Sequence, residues 1–159
     1  MYDDRDEGEA ERYDRNWLEL IQELRVAQTG IQVLAGFLLT LPFSNLFPKI
    51  STTHRVTYLV AFSLAIVTIA LMTAPVALHR LLFGRHEKDV LVRTGDVFAK
   101  SGMTALGLTL VTVVVLIFGV VVSDLAGILA GASALLLYVA LWVVLPLTLL
   151  EKSPQREAS

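Results

Sequence analysis

The sequence contains no cysteine, so disulfide bonds, thiol catalysis and cysteine-ligated metal sites are excluded. Charge is also missing from much of the chain. No Asp, Glu, Lys or Arg occurs in four stretches of 23 to 26 residues, namely 26–48, 56–78, 101–123 and 125–150. A helix needs about 20 residues to cross the roughly 30 Å hydrocarbon core of a bilayer, so each stretch is long enough to span it. A chain of 159 residues could not bury four such helices inside a water-soluble globule.

The four uncharged stretches predict an all-α membrane protein rather than a β-barrel. Backbone polar groups in lipid must be paired internally, which leaves helices or a closed barrel. Barrel strands alternate polar and apolar residues, and these stretches do not, even in the β-branched run at 111–122. We predict a membrane domain over residues 14–150, with Asp124 as the N-cap of its fourth helix. The predicted transmembrane helices cover about 26–47, 56–78, 102–123 and 125–150.

The residues outside the spans are polar. The first 25 residues carry nine acidic side chains against four arginines, and residues 1–13 are predicted to form an acidic disordered tail. From about Asp14, apolar side chains recur at helical spacing, which predicts an amphipathic N-terminal helix that leads into the first span. Its expected anchors at the membrane interface are Trp17, Leu18, Ile21 and Leu24. Residues 151–159 form a short C-terminal tail.

The loop between spans two and three is the most basic part of the chain. Its segment 87–100 mixes apolar and charged residues, which predicts a cytoplasmic surface helix lying against the lipid headgroups. The side that holds this loop and both termini carries 11 Lys and Arg residues, and the other side carries 2. The positive-inside rule therefore places both termini in the cytoplasm.

Basic side chains of this loop are the candidate contacts for anionic lipid or a cytosolic partner, and they are Arg80, Arg85, Lys88 and Arg93. Two histidines, His79 and His86, lie among them. No carboxylate pair stands beside these histidines at the spacing of metal ligands, so we expect no metal site and no cofactor.

Three polar side chains near the start of the first span form a candidate intramembrane face: Gln28, Thr29 and Gln32. Gln28 and Gln32 are four residues apart, on one side of a helix. They either face a bundle interior that binds an ion or a partner, or lie at interface depth, where hydrogen bonds between helices contribute about 0.6–2 kcal/mol each. The second, structural interpretation is preferred.

The fourth span contains Gly127 and Gly131, whose spacing allows another helix to approach closely. That helix belongs either to the same chain, which we prefer, or to a second copy.

The chain lacks the groups that chemistry usually requires. No ionisable residue lies at the centre of any span, whereas proton- or sodium-coupled transporters usually need one. No Walker loop, nucleophile elbow or HExxH sequence occurs. We therefore expect no catalytic residues and no enzymatic activity.

The chain contains the segments "RYDRNW", "ELRVAQTG", "APVALHR" and "HEKD". In these segments it resembles an uncharacterised family of small actinobacterial membrane proteins, DUF6328. The resemblance covers about residues 9–150 and implies a bacterial inner (plasma) membrane. The family supplies no established activity or catalytic residues. Some members are described as sodium:proton antiporters, and this chain departs from that description because it has no buried carboxylate.

The sequence thus favours a non-enzymatic accessory, scaffold or partner-binding subunit of the membrane. The alternative is a small oligomeric transporter or channel for cations or protons, with a pore formed by several copies. Membrane lipids are the expected partners, a homo-oligomer or a larger membrane complex is left open, and no nucleic acid is expected.

Overall fold

The computed structural model describes residues 9–82 and 88–151, and within them it contains no β-strand. Two short 3-10 turns, Leu41–Phe43 and Phe47–Lys49, connect the first two α-helices, and a π-helical segment, Ala140–Val144, connects the last two. The α-helices are α1 (Glu9–Thr40), α2 (Thr52–Leu82), α3 (Lys88–Val121), α4 (Asp124–Val139) and α5 (Leu145–Glu151).

Four helical segments are long and apolar enough to cross a membrane, which confirms the predicted four-span, all-α architecture. The fourth consists of α4, the π-helical segment and most of α5. Most large apolar side chains in these segments are exposed on the surface of the bundle, where lipid would cover them. The segments are Ile21–Phe43, Thr52–Leu78, Thr94–Val121 and Asp124–Leu149.

Two parts of the chain differ from the predicted boundaries. α1 begins at Glu9, so residues 9–13 of the predicted disordered tail are helical; residues 1–8 lie outside the described residues. The predicted surface helix at 87–100 is not a separate element, because residues 88–100 are the first turns of α3. At the expected boundary, Gly102 continues the helix, and a Cβ there would lie 2.9 Å from Met72 Cγ of α2. Gly102 therefore allows α3 and α2 to pack closely and does not end a helix. That residues 87–100 lie against headgroups stays a prediction.

α1 is fastened to α2 where α1 ends. The carbonyl of Leu38 would normally accept the N–H of residue 42, but residue 42 is Pro42 and has no N–H. The hydroxyl of Tyr58, which is buried, donates to this carbonyl instead, at 3.1 Å. A side chain of α2 thus satisfies a backbone acceptor that the proline leaves without its usual donor.

The hairpin between α3 and α4 is capped by Ser123, so the prediction of Asp124 as the N-cap is wrong. Ser123 Oγ accepts the N–H of Ala126 at 3.2 Å. The backbone of Ser123 is extended, which directs its side chain back towards the first turn, whereas Asp124 already belongs to the helix. Asp124 lies near the positive end of the α4 dipole, where a carboxylate is favourable.

The helices pack unequally. α2 and α3 form the largest interface, and α1 packs against both of them. The core residues between these three helices include Ile31, Ala61, Ala65 and Leu116. α4 packs against α3, and among the described residues it makes no close backbone contact with α1 or α2. The fourth span is therefore attached along one side only, which leaves space between its second half and α1.

Candidate binding groove

The space between α1, α3 and the fourth span forms a groove of about 640 Å³. α1 contributes one wall with Glu23, Leu24 and Ala27, and α3 forms the floor. The opposite wall comes from the second half of the fourth span. Because no close backbone contact joins α1 to α4 in the described part of the chain, the groove is open to the side.

Two aromatic rings form the wall on the fourth span. Tyr138 and Trp142 pack edge to face, with ring centroids 4.9 Å apart and an interplanar angle of 74°. They lie over Gly107 of α3, where a Cβ would be 3.5 Å from Trp142 Cζ3 and 3.9 Å from the Tyr138 ring. The absence of a side chain at Gly107 therefore leaves room for both rings close to the α3 backbone.

The wall is shaped by a local change in the helix. Leu141, Trp142 and Val143 belong to the π-helical segment, and Pro146 follows it. Pro146 cannot donate to the carbonyl of Trp142, and its ring would clash with that carbonyl in a regular α-helix. The wider π turn relieves this clash, and π turns of this kind occur often at functional sites. Pro146 is thus the sequence signal for this distorted turn.

Three charged residues, Glu23, Asp96 and Lys100, lie together at one end of the groove. Lys100 Nζ donates to Asp96 Oδ2 at 2.6 Å, one turn apart on α3. Glu23 has no ion pair with any residue that the structure describes. The described lining of the groove therefore carries one uncompensated negative charge. It lies at the end of the groove where the first and third spans begin.

The predicted polar face of α1 does not take part in the groove. Gln28 is half-buried, and Thr29 and Gln32 are exposed. The hydroxyl of Thr29 donates to the carbonyl of Arg25 in its own helix, at 2.9 Å. None of the three is among the described lining residues.

The predicted lipid contacts fall largely outside the description. Arg80, near the end of α2, is exposed, and Arg85 lies in the undescribed segment 83–87. Lys88 and Arg93 belong to the first turns of α3. The structure thus gives a side-chain position for only the first of these four.

Gly127 and Gly131 belong to α4 and are buried against α3. A Cβ at Gly127 would lie 2.7 Å from the carbonyl oxygen of Val115 and 2.9 Å from the amide nitrogen of Gly119, while a Cβ at Gly131 would overlap Val115 Cγ2. These two glycines therefore occupy the contact between two helices of one chain, where the backbones approach closely.

One polar contact joins three helices at the opposite end of the bundle from the charged groove. His54 Nε2 lies 2.9 Å from Asp124 Oδ1, and His54 Nδ1 lies 2.9 Å from Ser51 Oγ. The imidazole packs over Gly119, where a Cβ would be 3.0 Å from His54 Nε2. His54 thus connects the start of α2 with the end of α3 and the start of α4. The described residues contain no group of three or more His, Asp or Glu that could hold a metal ion.

Two buried threonines meet in the centre of the bundle. Thr68 Oγ1 and Thr109 Oγ1 are 3.2 Å apart, and each lies 2.8 Å from a carbonyl of its own helix, that of Leu64 and Ala105 respectively. Two hydroxyls have two hydrogens, so the three contacts cannot all be hydrogen bonds at one time. Both hydroxyl groups can donate to acceptors within the protein, so neither needs a ligand, and this indicates a structural contact.

A sequence profile described as a family of unknown function, DUF6328, matches residues 6–146. No curated protein and no solved structure matches the chain.

Proposed function

The chain belongs to the DUF6328 family, whose function is not established, and we propose that it is a non-enzymatic membrane protein that works by binding. In this proposal it is an accessory or scaffold subunit, and its binding site is the groove between α1, α3 and the fourth span. The occupant is a small amphiphilic molecule that reaches the groove from the membrane.

The observation that carries this proposal is the lateral opening between α1 and the fourth span. A volume of about 640 Å³ falls within the range of about 300–1,000 Å³ that is usual for small-molecule sites. A transmembrane helix of a partner, about 10 Å across and roughly 30 Å long, would need several times that space. The charged end and apolar remainder of the groove match the two ends of an amphiphile.

Sidedness and location extend the proposal. The side that holds both termini carries 11 Lys and Arg residues and the other side carries 2, which supports a topology with both termini in the cytoplasm. The proposed membrane is a bacterial plasma membrane, as the resemblance to the family implies. Arg80, Arg85, Lys88 and Arg93 would meet anionic headgroups or a cytosolic partner on this side. Flotation with anionic liposomes tests this contact: protein with these four charges reversed is expected to float less, and equal flotation of both forms would refute it.

The alternative function is transport of cations or protons by an oligomer. Its support is that Thr29 and Gln32 are exposed on an apolar helix, where a second copy could cover them. Purified protein in liposomes distinguishes the two functions, because ion or proton flux is expected only from a transporter.

Native mass spectrometry of the detergent-extracted protein tests the groove directly. Thr104 lines the groove and is exposed, so Thr104→Trp would fill the space without entering the core. Ser101→Trp is the matched control, since Ser101 is exposed on the same helix and is not among the described lining residues. A small bound molecule is expected on the wild type and on Ser101→Trp, and it should be lost from Thr104→Trp. Equal retention by both variants would refute the groove as the site.

A further inference from the structure

We propose that the groove binds a lipophilic organic cation, that is, a molecule with a positive centre carried by bulky apolar or aromatic groups. This inference rests on the groove being a binding site, as proposed above, and it adds the sign of the ligand's charge. The positive centre pairs with Glu23, and the apolar groups lie against Tyr138 and Trp142.

The charges of the lining favour a cation. Lys100 is the one basic residue among the described lining residues, and Asp96 neutralises it at 2.6 Å. Glu23 remains without an ion pair in the described part of the protein. Arg25 follows two positions later, about 200° around the helix, so it points away from the side that carries Glu23. A cation entering the groove thus meets a carboxylate that has no ion pair with any residue whose side chain the structure describes.

The rest of the groove favours an apolar and aromatic ligand body. Trp142 is 40% exposed although it lies against α3, so part of its ring is available for contact. Indole faces attract cations as well as apolar groups. Met103 and Leu108 of α3 extend the apolar surface beside the rings. Carboxylate and aromatic groups are the two kinds of partner that recognise organic ammonium and phosphonium ions in water-poor surroundings.

An anionic lipid is the competing occupant, and the lining opposes it. Its phosphate would need a free basic group, yet Lys100 is already bound to Asp96. It would also lie near the uncompensated carboxylate of Glu23, and like charges repel. The two occupants therefore differ in the sign of the charge that the groove accepts.

The test uses two probe ions of nearly equal size and opposite charge, tetraphenylphosphonium and tetraphenylborate. The chain has two tryptophans, so the Trp17→Phe variant leaves Trp142 in the groove as the single tryptophan reporter. Titration of the purified variant in a neutral detergent is followed by Trp142 fluorescence. We expect saturable quenching by tetraphenylphosphonium and at least tenfold weaker binding of tetraphenylborate.

Charge removal at Glu23 is the second arm. Glu23→Gln keeps the shape of the side chain and is expected to weaken tetraphenylphosphonium binding about tenfold, between the effects of exposed and buried ion pairs. Glu19→Gln is the matched control, because it removes the same charge one turn earlier on α1, from an exposed residue outside the described lining. It should bind the cation as the parent does.

The outcomes separate this inference from the proposed function. Equal binding of both ions, or preference for tetraphenylborate, overturns the cation while leaving the groove as a site. Unchanged affinity in Glu23→Gln overturns the role of that carboxylate. If Glu23→Gln fails to fold, the comparison of the two ions on the parent protein still decides the sign. Absence of quenching by either ion overturns the inference, and the native mass measurement with Thr104→Trp then decides the groove independently.

Discussion

Replacing Gly127 by alanine tests a close approach between the backbones of α3 and α4. The new Cβ would lie 2.7 Å from the carbonyl oxygen of Val115, about 0.7 Å short of the 3.4 Å at which ordinary contact begins. The obstructing atoms, including the nitrogen and Cα of Gly119, are backbone, so no side chain can rotate out of the way. α3 and α4 must move apart, and α4 has no other close helix–helix backbone contact among the described residues.

The expected magnitude follows from two opposed effects. Overpacking of this kind costs about 1–3 kcal/mol. Alanine in place of glycine within a helix returns about 1 kcal/mol. The net loss in the free energy of unfolding for Gly127→Ala is therefore between zero and about 2 kcal/mol, and we expect the upper part of this range because the obstructing atoms are backbone.

Gly131 supplies a second test of the same interface, and Gly36 supplies the matched control. At Gly131 the obstructing atom is Cγ2 of Val115, which a new Cβ would overlap. Val115 is β-branched and therefore stiff about χ1 in a helix, so Gly131→Ala should also destabilise the protein, by up to about 2 kcal/mol. At Gly36 no heavy atom lies within 4 Å, so Gly36→Ala should gain up to about 1 kcal/mol.

The assay is unfolding in mixed micelles of neutral detergent and dodecyl sulfate, with all variants made in the Trp17→Phe protein. Unfolding is followed by circular dichroism and by the fluorescence of Trp142, which lies over α3. The predicted order of stability is Gly36→Ala, then wild type, then Gly127→Ala and Gly131→Ala. A Gly127→Ala protein as stable as Gly36→Ala would refute the close packing of α3 and α4.

Three further variants test the remaining polar contacts, with the same unfolding assay. Tyr58→Phe removes the donor to a carbonyl that a proline leaves without its helical partner, so it should cost about 1–2 kcal/mol, and a neutral result would contradict that bond. Thr68→Val and Thr109→Val should each cost less than about 1 kcal/mol, because the remaining hydroxyl still bonds to its own helix; a loss above about 2 kcal/mol would show that the pair holds the helices together. A double-mutant cycle of His54→Ala and Asp124→Ala should give a coupling free energy of about 0.5–1 kcal/mol, as for a partly exposed pair, and zero coupling would mean that the contact is not formed.

The span architecture was predictable because it depends on length and composition, which a sequence states directly. Uncharged runs of more than 20 residues have few structural solutions in lipid. The ends of helices were less predictable. Nothing in the sequence around Gly102 distinguishes a glycine that ends a helix from one that lets Met72 approach, and the structure shows the second.

The groove could not be predicted from the sequence, because it depends on the absence of contact between α1 and α4 in the described part of the chain. Glu23, Gly107 and Trp142 lie far apart along the chain. They line one cavity because α1 and α4 both pack on α3 without packing on each other. The pairing of His54 with Asp124 has the same origin, since it joins the first turns of two helices that the sequence separates by two spans. Pro146 predicts only the distorted turn that precedes it, through its missing N–H, and not the groove.

The four-span topology underlies every proposal above, and labelling of single introduced cysteines tests it most directly because the chain has no native cysteine. Cysteines at Asn45 and Val122, in the two short connections, should react with an impermeant maleimide in intact cells. Cysteines at Ser153 and at Arg80 should react only after the membrane is opened. Labelling of all four positions from one side, or of Ser153 in intact cells, would contradict the account.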